Sequence, residues 1–75
     1  MIVKIKGDSI KVSQFLKKID EVPTGGAAKS FLLYNDVKIN GEQAKGRSSK
    51  IRPGDIVWVN NTLIKVESLD QPEEK

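Results

Sequence analysis

IKVSQFLKKIDEVPTGGAAKSFL, residues 10–32, is the stretch that decides how this chain folds. Val12, Phe15, Leu16 and Ile19 stand at i, i+3, i+4 and i+7, so one helix face is apolar. Ser9 is a good N-cap for this helix, and Lys11 with Gln14 at N3 is an alternative start. The helix ends near Asp20, because Pro23 lacks the N–H that a continuing helix needs. Thr24 is the N-cap candidate of a second helix with Ala28, Phe31 and Leu32 as its buried stripe. Asn35 suits a left-handed cap at its end. Only about five residues separate the helices, so they must pack as a pair.

Upstream, Ile2, Val3 and Ile5 form a short β-like run that stops at Gly7-Asp8. Downstream the pattern is again β-like. Val37 and Ile39 alternate with Asp36 and Lys38, and Asn40-Gly41 is a strong two-residue hairpin signal. A polar, basic stretch runs from Glu42 to Lys50. Pro53-Gly54 fits the centre of a type II turn, Ile56–Val59 is an apolar strand, and Asn60-Asn61 can take positive φ and lead into Thr62–Val66. The expected order is β-α-α-β-β-β-β. This is an α+β fold with two packed short helices on one face of a small antiparallel-rich sheet. The expected core is Val12, Phe15, Leu16, Ile19, Ala28, Leu32, Val37, Ile39, Ile51, Ile56 and Val59. The four aromatics, Phe15, Phe31, Tyr34 and Trp58, are read as structural. Residues 1–67 make one domain, and 68–75 read as a polar, frayed tail.

With 75 residues, no cysteine and no histidine, the chain has no disulfide and lacks the usual zinc-ligand sets. Its stability must come from one apolar core. No signal peptide or membrane span is visible near the N-terminus, so the expected location is the cytoplasm. The net charge of +3 is unevenly spread. Residues 1–66 hold 12 basic against 6 acidic groups, a net of +6, while Glu67, Asp70, Glu73 and Glu74 crowd the end. A basic body favours a polyanionic partner, although solubility alone also accounts for such charge.

Three segments together resemble the S4 RNA-binding domain, and within it the small stand-alone bacterial proteins of the YaaA type. They are Ile10–Leu32 with its Gly25-Gly26 pair, Ala28 and Lys29; the DVKINGE hairpin, Asp36–Glu42; and KIRPGDIVWV, Lys50–Val59. The resemblance covers roughly residues 2–66. Two positions depart from the wider pattern. Gly25 stands where many S4 domains have arginine, as in the stand-alone subgroup. Lys45-Gly46-Arg47-Ser48-Ser49-Lys50 replaces the subgroup's adjacent arginines.

The resemblance implies a non-catalytic protein that holds structured RNA through backbone phosphates. Ribosomal RNA or an assembling ribosomal subunit is favoured, with tRNA or another RNA as alternatives. Ribosomal proteins are possible neighbours, the chain is expected to be a monomer, and no cofactor, metal or membrane is implied. Lys11, Gln14 and Lys18 form a stripe beside the apolar face of the first helix, with Lys17 farther round. Thr24, Gly25, Gly26 and Lys29 surround the start of the second helix, where free N–H groups could cradle a phosphate; two glycines could equally serve a tight turn. Lys38, Lys45, Arg47, Lys50 and Arg52 are opposed between residues 38 and 52 only by Glu42.

Other classes compete. An interaction adaptor could recruit a partner strand to an edge at Thr62–Val66. A β-grasp sulfur carrier needs a C-terminal Gly-Gly, and this sequence ends Glu73-Glu74-Lys75. GGAAKS is no P-loop, because Pro23 and Ala28 occupy the required glycine positions. An enzyme lacks a histidine base, a cysteine nucleophile and a carboxylate pair.

Overall fold

The computed structural model describes residues 1–69. The elements are β1 (Ile2–Ile5), β2 (Ile10–Lys11), α1 (Val12–Lys18), α2 (Ala27–Tyr34), β3 (Val37–Ile39), β4 (Glu42–Gln43), β5 (Lys50–Ile51), β6 (Ile56–Val59) and β7 (Thr62–Ser68). Five strands form one sheet in the order β1-β7-β6-β3-β4, and β2 and β5 form a separate two-stranded ladder. The large sheet is antiparallel except that β1 runs parallel to β7. The fold is α+β, as the sequence indicates. The order differs by the two short strands β2 and β5. No helix among the described residues is long and apolar enough to cross a membrane.

α1 ends where expected, but through Asp20. That residue takes φ 64°, its N–H donates to the Lys17 carbonyl, and the Glu21 N–H donates to the Leu16 carbonyl. These two bonds make a Schellman cap. Asn35, expected in the left-handed region, is extended at φ −135°. It closes α2 with its side chain instead: Nδ2 donates to the Phe31 carbonyl and Oδ1 accepts from Asn60 Nδ2.

The two predicted turns are joined to each other. Asn40 and Gly41 have φ 53° and 87°, the pair of positive values a type I′ hairpin requires. Asn40 Oδ1 accepts from the Ile56 N–H, and its Nδ2 donates to Asp55 Oδ1. Asp55 Oδ2 accepts from the Arg52 N–H at 2.8 Å, bracing the turn at Gly54, whose φ is 97°. The NG and PGD motifs therefore occur together because their side chains bond.

Val3, Ile5, Val37, Val57, Val59, Ile64 and Val66 form the large sheet's share of the core, with Val12, Phe15, Leu16 and Ala28 from the helices, Val22 from the interhelical connection and Ile51 from β5. Ile19, Leu32 and Ile39 are half-buried against it. Ile56 was expected inside but is half-buried, because strand alternation gives the inner face to Val57 and Val59.

The expected free edge at Thr62–Val66 is absent. β7 lies between β1 and β6, so its backbone is paired on both sides. β7 also runs through Ser68, and the Leu69 N–H donates to the Ile5 carbonyl. Ser68 is thus in the sheet, and the rest of the expected tail, positions 70–75, lies outside the described residues.

Candidate nucleic-acid interface

The small ladder sets the charge geometry. It places Lys11 directly opposite Lys50, and both side chains are exposed. Directly opposed residues have Cβ atoms roughly 5 Å apart, and like charges at that spacing repel. An anion lying between them relieves the repulsion.

The basic segment after the hairpin is docked on α1. The Val12 N–H donates to the Ser49 carbonyl at 2.8 Å, and the Ser13 N–H to the Arg47 carbonyl at 3.0 Å. These bonds satisfy donors of the first helical turn that have no partner within the helix. Ser49 Oγ accepts from the Lys45 N–H, and the Ser49 N–H donates to the Gly46 carbonyl. Lys45, Arg47 and Lys50 therefore stand on a braced turn beside α1.

On one flank of α1, Gln14 and Lys18 lie one turn apart. With Ile5, Lys6, Ser9 and Ile10 they line an open cleft of about 300 Å³. The Lys11 N–H donates to Gln14 Oε1 at 3.3 Å, so Lys11 is the N-cap position and the NH2 end of Gln14 is what can serve a phosphate. Lys6 joins this flank unannounced by the sequence. Alternation groups it with Lys4, and only the turn at Gly7, φ 84°, brings the chain round to α1.

Ser13 and Lys17 occupy the other flank, one turn apart on the helix. A Cβ on Gly25 would lie 3.9 Å from Ser13 Cβ, so the interhelical loop packs here. The first N–H groups of α2 are not open, which corrects the expected cradle. Ala27 donates to Thr24 Oγ1 and to the Thr24 carbonyl, Ala28 to the Gly25 carbonyl and Lys29 to the Gly26 carbonyl. What this end offers is bare backbone at Gly25 and Gly26, with Thr24 and Lys29 alongside. Neither glycine has positive φ, and a Cβ on either would meet only ordinary contacts. The turn itself does not require glycine at these two positions.

Lys45, Lys50 and Arg52 border a second cleft of about 440 Å³ under the β3–β4 hairpin, together with Glu42 and Asp55. Lys38 does not join them. It lies between buried Val37 and half-buried Ile39 and pairs with Trp58 on the outer face of the sheet. The aromatics also divide: Phe15 is buried and Phe31 half-buried, whereas Tyr34 is 84% and Trp58 39% exposed. Tyr34 and Trp58 thus reach the surface, Trp58 from within the sheet.

The comparisons with known proteins agree with this architecture. The family model described as S4 domain matches residues 3–67. The probable ribosome maturation protein RlbA of Bacillus subtilis (strain 168) is 38% identical over 57 residues, covering 76% of this chain and 80% of that protein. The small ribosomal subunit protein uS4 of Hyphomonas neptunium (strain ATCC 15444) is 36% identical over 56 residues, 69% of this chain but only 27% of that protein. With its sequence matched to that family model from β1 into β7, the chain belongs to the S4 domain family.

Proposed function

We propose that this chain is a non-catalytic, ribosome-related RNA-binding protein that grips structured RNA by its backbone phosphates. Ribosomal RNA or an assembling ribosomal subunit is the favoured partner, which places its work in the cytoplasm. The observation that carries the reading is the Lys11–Lys50 pair, two like charges held opposite each other by strand pairing and flanked by the docked Arg47. A fold that spends stability to oppose two cations gains from an anion bound there. The exposed backbone of Gly26, beside half-buried Gly25, and the cations at 6, 17, 18 and 29 extend this surface. The names of the two relatives, a ribosome maturation protein and a ribosomal subunit protein, support a ribosomal partner. The adaptor reading has lost the sheet edge on which it rested.

Lys50→Gln separates binding from folding. Removing one of two opposed cations is expected to stabilise the free domain by about 0.2–1 kcal/mol in urea melts. The same change is expected to weaken structured RNA about fivefold at 0.1 M salt, from roughly 0.7 log units per neutralised phosphate. Stability and affinity falling together would make Lys50 a structural residue and remove this support.

A further inference from the structure

The helices cover one face of the five-stranded sheet, and Trp58 lies on the other. Strand pairing sets Lys38 directly across from it. One step along, the Asn60 N–H donates to the Asp36 carbonyl at 2.7 Å and the Asp36 N–H to Asn60 Oδ1 at 3.0 Å. Asp36 immediately precedes β3, two residues before Lys38, and both line one cleft with Trp58 on this side of the sheet. These residues, with Gly41 and Asn61, line an open cleft of about 350 Å³. That size falls at the low end for small-ligand sites. The side-chain amide of Asn60 is engaged at both ends, with the Asp36 N–H and with Asn35 Oδ1, so it fixes Asp36 in place.

The chemistry of this corner is specific. An exposed indole offers a flat face on which a base can stack. An ionised carboxylate presents two acceptor oxygens side by side. Guanine alone among the four RNA bases carries two adjacent donors, N1–H and the 2-amino group, on its pairing edge. Diagonal neighbours across a sheet sit roughly 7–8 Å apart, so a base on Trp58 lies within reach of Asp36. Lys38 supplies a cation for the attached phosphate.

We infer that this corner binds an unpaired guanine nucleotide of an RNA, stacked on Trp58 with its pairing edge on Asp36. The inference rests on RNA being the partner, but it uses none of the residues around α1.

Trp58 is the single tryptophan of the chain, so its emission reports on this site directly. The full chain is titrated with end-labelled ten-nucleotide uridine runs carrying one central guanosine, adenosine or inosine, and with the all-uridine run. The guanosine oligonucleotide is expected to quench Trp58 and to bind about tenfold more tightly than the all-uridine one, with inosine, which lacks the 2-amino group, in between. Trp58→Leu, followed by anisotropy of the label, is expected to abolish that preference. Asp36→Asn is expected to reduce it to about twofold or less while quenching persists. Equal binding of all four oligonucleotides, or a preference that survives Asp36→Asn, overturns the site. Trp58 emission that changes with protein concentration alone overturns it too, by placing a second copy on this face. If a paired RNA binds but no oligonucleotide quenches, this inference fails and the phosphate surface stands; if neither binds, both fail.

Discussion

Replacing Lys11, Arg47 and Lys50 together by glutamine is expected to lower affinity for a structured RNA about 100-fold at 0.1 M salt, with the fold intact. Each neutralised phosphate contributes roughly 0.7 log units between 0.1 and 1 M salt, so three lost contacts remove about 2 log units. The three substitutions leave the architecture alone. Arg47 holds α1 through its carbonyl, and Lys11 and Lys50 pair through their backbones, so the supporting bonds named here run through main-chain atoms. The gap between the native chain and the variant should narrow as salt is raised and close near 1 M. Lys4→Gln is the control, because Lys4 pairs with Glu67 on the outer face of the sheet, away from α1. A loss that persists at high salt would mean that the surface had been deformed rather than discharged.

Phe15→Ala is expected to remove a large share of the domain's stability. Phe15 is fully buried at the centre of the α1 stripe, against both the sheet and α2. Truncating a buried phenylalanine costs about 3–5 kcal/mol, through lost transfer energy and the cavity left behind. A domain of this size has roughly 4–11 kcal/mol of stability in total. Circular dichroism in urea should show the midpoint lowered by roughly half for the alanine variant, and a much smaller decrease for Phe15→Leu. A modest shift for alanine would show that α1 is not the element that organises the core.

The features legible in the sequence are those set by local rules. The 3.6-residue stripe of Val12, Phe15, Leu16 and Ile19 identifies α1 unaided, and the Asn40-Gly41 and Pro53-Gly54 turns follow from which residues tolerate positive φ. What was hidden is non-local. Ile2–Ile5 pairs in parallel with a strand some sixty residues away, and no local signal announces a parallel partner. That one pairing turns Thr62–Val66 from an edge into an interior strand. β2 and β5 are two residues each, too short to show a period, yet they create the Lys11–Lys50 opposition. The apolar run Ile56–Val59 does not reveal which parity faces inward, which misplaced Ile56 and concealed the exposure of Trp58. Lys38 was readable: with Val37 and Ile39 inside, alternation already sends it to the other face.

The most direct test of the central claim, that the surface built on α1 holds the phosphates of structured RNA, is an amide-resolved NMR titration with a blunt-ended, fully paired RNA duplex stem without a loop. A paired stem offers phosphates but no unpaired guanine, so the outer-face site is silent. The expected result is saturable shifts at low salt, concentrated at Ser13, Gln14, Lys17, Lys18, Gly25, Gly26, Arg47 and Lys50, that fade as salt is raised. Shifts confined to Lys4, Trp58, Leu63 and Lys65 on the outer face, or no saturable change at low salt, would contradict it.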